Sequence, residues 1–267
     1  MQAAPSPTRV PVQGGDLLCE TAGPRDSVRP ALLFLHGWTL DHRMWAPQLR
    51  ALCVDRLCVA PDRRGFGRSN APAAVAMEHE DIAHILDALG VARAIVVGMS
   101  QGGRPALEFA LAQPERTAAL VLQGARFGAA DTRPEIPVDD YIALIRAGRL
   151  DAMKALWRAH AMMQTTSAEA RATAEAILAD YDGRDLLAAP AAAAQLDAAA
   201  VAGIEAPALI VTGAHDTPGR HVAAAALAAA LPNAQKIEIA DAGHLCNLDQ
   251  PEAYNAVLTD FLVRIGA

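Results

Sequence analysis

The chain has 267 residues, 52% of them hydrophobic, and a formal charge of −7 from 23 basic and 30 acidic side chains. That is enough apolar material for one large α/β domain, and it excludes a disordered chain. An acidic balance with no basic block argues against a nucleic-acid partner. The alanine tracts Ala191–Ala194 and Ala223–Ala230 read as helix, too weakly hydrophobic to span a bilayer.

In chain order, strands are expected at Thr8–Val12 and Leu17–Thr21, joined through the hairpin signal Gln13-Gly14-Gly15-Asp16 and therefore antiparallel. Short apolar runs then alternate with helical patterns. Strands fall at Ala31–His36, Leu57–Ala60, Ala94–Gly98 and Ala118–Gln123, with helices at Met44–Leu52, Glu78–Leu89 and Gly103–Gln113. From about Phe127 to Val201 only helical patterns occur, one of them opened by an apparent capping box, Thr166-Ser167-Ala168-Glu169. The alternation resumes with strand Ala208–Gly213, helix Arg220–Leu231, strand Lys236–Ile239 and helix Pro251–Ile265. This pattern predicts an α/β fold with a mostly parallel eight-stranded sheet flanked by helices. Residues 1–126 and 202–267 form its core, and 127–201 a helical lid inserted after the sixth strand. Met1–Thr8 shows no basic segment leading into an apolar stretch, so a cytoplasmic protein is expected. Cys19, Cys53, Cys58 and Cys246 lack C-x-x-C or zinc-ligand spacing and read as reduced, mostly buried thiols.

The most informative segment is Gly98-Met99-Ser100-Gln101-Gly102-Gly103, which lies between an apolar strand and a helix. A strand-to-helix turn this tight strains its apex residue and brings neighbouring backbones together, which glycine tolerates. The hydroxyl of Ser100 then stands above the C-terminal edge of the sheet as a nucleophile candidate. Its base must come from the same edge. His244, in Asp241-Ala242-Gly243-His244-Leu245, follows the last strand directly. His79 and His84 lie within a helix, and His42 and His221 at or near helix starts. Asp216 follows the strand Ala208–Val211 and suits the orienting acid; its alternative is a helix N-cap, with Asp241 and then Asp249 as fallback acids. Oxyanion donors are expected from the backbone N–H of Gln101 and from that of Trp38, in the loop His36-Gly37-Trp38.

With these residues in view, the chain resembles α/β-hydrolase-fold serine hydrolases over nearly its whole length. His36-Gly37-Trp38-Thr39-Leu40-Asp41-His42-Arg43-Met44-Trp45 resembles the oxyanion loop of bacterial aryl esterases and the related cofactor-free perhydrolases. Pro61-Asp62-Arg63-Arg64-Gly65-Phe66-Gly67-Arg68-Ser69 resembles the family's structural loop, with Asp62 and Arg64 read as scaffold. Leu120–Gly124 and Gly243–Tyr254 complete the likeness, which extends to enol-lactone hydrolases. The resemblance implies the chain order nucleophile, acid, base, and a serine mechanism without metal or organic cofactor. A serine at the elbow speaks against haloalkane dehalogenases and epoxide hydrolases, which carry aspartate there. Hydroxynitrile lyases add a lysine near the site, and Lys154 reads instead as a surface group.

The substrate is expected to be a small ester or lactone in a pocket of Trp38, Met99, Phe127, Trp157, Met162 and Met163, although the lid residues alternatively pack among themselves. Arg126 lies near the site edge, suited to a substrate carboxylate of the kind muconate-type enol-lactones carry. Its alternative is a surface pair with Asp131 or Glu135. His160 reads as a solvated helix-end residue in preference to a pocket wall. Competing functions are a carbon–carbon hydrolase of aromatic ring-cleavage products and a ligand sensor that retains the triad. Perhydrolysis is a side activity of the esterase reading. Oligomeric state is left open.

Overall fold

A computed structural model describes residues 6–128, 135–188 and 196–267. Eight strands form one sheet: β1 (Ser6–Val12), β2 (Gly15–Ala22), β3 (Ala31–Leu35), β4 (Cys58–Pro61), β5 (Ala94–Met99), β6 (Thr117–Gln123), β7 (Ala208–Gly213) and β8 (Ala234–Ile239). Their spatial order is β1-β2-β4-β3-β5-β6-β7-β8. β2 runs antiparallel to both β1 and β4, and every later pairing is parallel. The predicted hairpin is present, with Val12 opposite Gly15.

Side chains alternate along the central strands with the period of two that a pleated sheet demands. Leu32, Phe34, Ile95, Val97, Val121 and Leu209 face one core, and Leu33, Val96, Leu120, Leu122 and Ile210 the other. Helices α1 (Ala46–Leu52), α2 (Glu78–Ala88) and α3 (Gly103–Ala112) lie within the first half of the chain. Between β6 and β7 come α4 (Val138–Arg146), α5 (Leu150–Ala159), α6 (Ala168–Asp180), α7 (Arg184–Leu187) and α8 (Ala198–Val201). The chain ends with α9 (Pro218–Ala230), α10 (Cys246–Asp249) and α11 (Pro251–Arg264). Through Leu49, Tyr254 and Phe261, α1 and α11 cover the first face; through Ile85, Phe109 and Leu227, α2, α3 and α9 cover the second.

The inserted helices share the first core with the sheet. Tyr141, Met153, Trp157 and Ile177 belong to the same buried cluster as Phe34 and Trp38. The last of them departs from this arrangement. Val201 of α8 packs in the opposite core, beside α9. The capping box expected at Thr166–Glu169 does not form, and the N-cap lies one residue later. Ser167 is the N-cap of α6 and its Oγ accepts from Ala170 N at 3.0 Å, while Thr166 Oγ1 donates to the Asp241 carbonyl at 2.7 Å. The tract Ala191–Ala194 lies outside the described residues. All four cysteines are buried and free.

Candidate active site

Because β3 and β5–β8 are parallel, the loops after them leave from one edge of the sheet. β5 ends at Met99, Ser100 takes a left-handed backbone (φ 51°), and a single tight turn, Ser100–Gly102, leads into α3. Serine at that conformation costs about 1–3 kcal/mol, which the surrounding structure must supply. Gly102 explains how the turn fits. A Cβ there would lie 2.6 Å from the Leu35 carbonyl oxygen and 2.7 Å from that of His36, so the end of β3 packs directly on the turn. The Gln101 amide sits in the first turn of helix, where N–H groups have no intrahelical acceptor.

At the ends of β7 and β8 the sequence-predicted acid and base meet. His244 Nδ1 lies 2.9 Å from Asp216 Oδ2 and 3.1 Å from Oδ1, and both residues are buried. Asp216 Oδ1 also accepts from Thr217 N at 2.7 Å, but the N-cap of α9 is Thr217 itself. Gly124 (φ 51°) forms the floor beneath this pair. A Cβ would come within 2.7 Å of His244 Cε1, so no side chain fits there. The loop carrying His244 is held by Gly243 N donating to Asp249 Oδ2 at 2.8 Å and by Gln123 Nε2 donating to the His244 carbonyl at 3.2 Å. Asp249 therefore anchors the loop. Asp241 offers its backbone carbonyl to Thr166 and Gln250 and does not orient His244.

Ser100 and His244 line one small cavity of about 20 Å³. Trp38, Met99, Trp157, Met162 and Met163 line it too. A larger cavity, about 530 Å³, opens from Ser100, Gln101 and Trp38 toward Arg126, Glu135 and Arg220. Phe127 lines neither. It is buried in the second core, in the cluster that also holds Ala125 and Ala223. Lys154 donates to the Ala179 carbonyl at 2.7 Å within the insertion and does not line the cavities. His160 stacks on Trp157 and accepts from Met162 N at 3.2 Å, a helix-end role.

Some residues at the site gave no sequence signal. Arg220 read only as a helix start, yet it is buried, pairs with Glu135 at 3.0 Å and donates to the Gly124 carbonyl at 3.3 Å. Burial pulls its guanidinium below the ordinary value, and Glu135 opposes that shift. The loop carrying Trp38 and Thr39 is tied to the insertion by Trp38 Nε1 donating to Asp185 Oδ2 at 2.8 Å and Trp157 Nε1 donating to Thr39 Oγ1 at 2.7 Å. Burial raises the pKa of Asp185, and the hydrogen bonds from Tyr181 and Trp38 oppose it. Asp41, His42 and Asp62 bring potential metal-ligand atoms within 4.8 Å of one another. Those atoms are already engaged. His42 Nδ1 lies 2.6 Å from Asp62 Oδ1, Arg68 N donates to Asp62 Oδ2, and Arg43 takes both oxygens of Asp41. The cluster is a tie between two loops.

Residues 32–257 match the model of the alpha/beta hydrolase family. The chain belongs to that family. It is 28% identical over 260 residues to 3-oxoadipate enol-lactonase 1 of Acinetobacter baylyi, covering 95% of each chain. The solved enol-lactonase of Burkholderia xenovorans superposes with a TM-score of 0.79 at 25% identity, over 96% of this chain and all (100%) of that one. A solved hydrolase from Pseudomonas aeruginosa gives 0.81 at 28% identity, over 97% of this chain and 98% of its own. The expected α/β-hydrolase fold is thus present. Among the described residues, no helix is long and apolar enough to cross a membrane.

Proposed function

We propose that this protein hydrolyses small carboxylic esters or lactones through an acyl-enzyme on Ser100. The observation that carries the reading is the buried His244–Asp216 hydrogen bond on the wall of a cavity that Ser100 shares. Asp216 accepts the Nδ1 proton of His244 and so leaves Nε2 free to take the proton of Ser100. The serine oxygen attacks the carbonyl carbon, and the amides of Trp38 and Gln101 stabilise the resulting oxyanion. His244 returns the proton to the leaving alcohol, or to the ring oxygen of a lactone. It then activates water, which releases the acid and frees Ser100. Helices α4 to α7 and their connections serve as a lid whose Trp157, Met162 and Met163 exclude water from the reacting atoms.

The likeness to two enol-lactonases supports the lactone branch. The test is initial rates on p-nitrophenyl acetate and butyrate, a γ-lactone and a ring-cleavage diketone, for wild type and Ser100→Ala. Ester or lactone turnover that drops by at least about 10³-fold in Ser100→Ala is the expected result. Turnover of the diketone alone would move the protein to carbon–carbon hydrolysis. Single-turnover behaviour across the panel would make it a sensor, and activity surviving in Ser100→Ala would remove the nucleophile.

A further inference from the structure

Beneath the site lies a buried guanidinium that the steps above do not use. Arg63 follows β4 and is 3% exposed. A guanidinium has five N–H donors in a fixed planar fork, and here every one has an acceptor. Nε donates to Glu78 Oε2 at 2.8 Å and Nη2 to Glu78 Oε1 at 3.0 Å, a two-pronged pairing with one carboxylate. Nη1 donates to the backbone carbonyl of His36 at 2.8 Å. Nη1 and Nη2 both reach the side-chain oxygen of Gln101, at 3.1 and 3.0 Å. The backbone N–H of Arg63 donates to His36 Nε2 at 2.9 Å, and the Phe66 ring lies 5.1 Å from the guanidinium carbon.

These acceptors have one thing in common. His36 opens the loop that carries Trp38, and Gln101 is the residue after Ser100. Resting on the hydrolase reading, we propose that Arg63 is a positioning residue that sets the spacing between the two halves of the oxyanion hole. It holds the His36 peptide on one side and Gln101 on the other, with Glu78 keeping its fork in plane. The two donor amides lie on separate loops, after β3 and after β5. Sheet pairing aligns the strands but ends at Leu35 and Gly98, so beyond that point the clamp is a direct side-chain link between them. Glu78 neutralises the cation, so Arg63 acts through geometry and adds no net charge to the site. Burial and the nearby Arg63 charge bring the His36 pKa down to about 4, which keeps its ring neutral and able to accept from Arg63 N.

A clamp of this kind acts on the transition state. Loss of a single oxyanion donor costs about 10²–10³-fold in turnover, and displacement of one costs less. The experiment measures kcat and KM on p-nitrophenyl acetate, and the affinity for phenylboronic acid, whose serine adduct is tetrahedral like the intermediate. Wild type is compared with Arg63→Gln, Arg63→Lys and Gln101→Met, with near-ultraviolet circular dichroism confirming the fold. Arg63→Gln is expected to lower kcat and weaken boronate binding together by about 10–100-fold, with KM within about two-fold. Arg63→Lys recovers part of both losses, because an ammonium still reaches one or two of the acceptors. Gln101→Met, which keeps the Gln101 backbone and the Arg63–Glu78 pair, lowers both by about 3–10-fold, and decides the matter if Arg63→Gln does not fold. Variants that match an active wild type within two-fold on both readouts overturn the clamp alone. A wild type that neither turns over esters nor binds the boronate overturns the hydrolase reading, and the clamp with it.

Discussion

The strand-end positions of Ser100, Asp216 and His244 are legible from sequence because each follows a strand of one parallel sheet, and the C-terminal edge of such a sheet is shared by construction. For Arg126 the sequence offers two roles, a contact to a substrate carboxylate or a surface pair with Asp131 or Glu135. Glu135, one of its two expected partners, is taken by Arg220 at 3.0 Å and by Thr217 Oγ1 at 2.6 Å, while Asp131 lies outside the described residues. Arg126 is left exposed on the wall of the 530 Å³ cavity, with no ion-pair partner among the described residues. A substrate carboxylate would gain a charge-assisted hydrogen bond there. Arg126→Ala should therefore raise KM about tenfold for a carboxylate-bearing ester, the equivalent of about 1.4 kcal/mol, and leave a neutral ester within two-fold. Equal KM changes on the two esters would exclude that role.

At the scale of elements, all eight strands are legible as short apolar runs alternating with helical patterns, with ends shifted by no more than a few residues. The Ser100–Gly102 turn is the element on which the candidate site depends most. It works because the end of β3 touches it where Gly102 has no side chain. The carbonyls of Leu35 and His36 are backbone atoms of a buried strand and the loop leaving it, so they cannot swing away. Gly102→Ala is expected to cost about 3 kcal/mol or more and to lower Tm by roughly 6–12 °C, read by thermal unfolding. A fall of less than about 2 °C would show that the turn has slack which this geometry denies. The displaced cap of α6 marks where element reasoning stopped. Thr166 Oγ1 is held away from the helix end by donating to the Asp241 carbonyl, 75 positions along the chain, and Ser167 accepts from the helix N–H in its place.

For the molecule as a whole, the sheet carries two cores, and loop-to-loop ties close the edge that bears Ser100. One tie is His42 with Asp62, which joins the loop after β3 to that after β4. Burial disfavours the His42 cation, but the Asp62 carboxylate 2.6 Å away outweighs it, so the imidazole pKa is raised. Asp62 is buried as well, yet His42 and two backbone amides bring its pKa below the ordinary carboxylate range. The signs follow from linkage. A raised histidine pKa stabilises the fold below the ordinary histidine value, and that contribution is lost as pH rises through the folded-state value. A depressed carboxylate pKa stabilises above the ordinary carboxylate range and is lost in acid. The pair thus contributes most between those two ranges, in mildly acidic solution. The Tm difference between wild type and His42→Asn should be largest there and shrink toward alkaline pH. A difference constant from pH 5 to pH 9 would mean that the tie does not titrate.

The sequence by itself determined the strand order along the chain, the glycine-lined turn around Ser100, and the strand-end placement of Asp216 and His244. These depend on local periodicity and backbone sterics, which act between residues close in the chain. Only the tertiary structure decided which long-range partners each polar group takes. It sent Phe127 into the far core, gave Glu135 to Arg220, and joined Trp38 to Asp185 across 147 residues. It also brought Arg63, Glu78, His36 and Gln101 together beneath the site. A buried polar group must be satisfied by whatever the folded chain brings within about 3 Å, and that neighbourhood exists only after the sheet has formed.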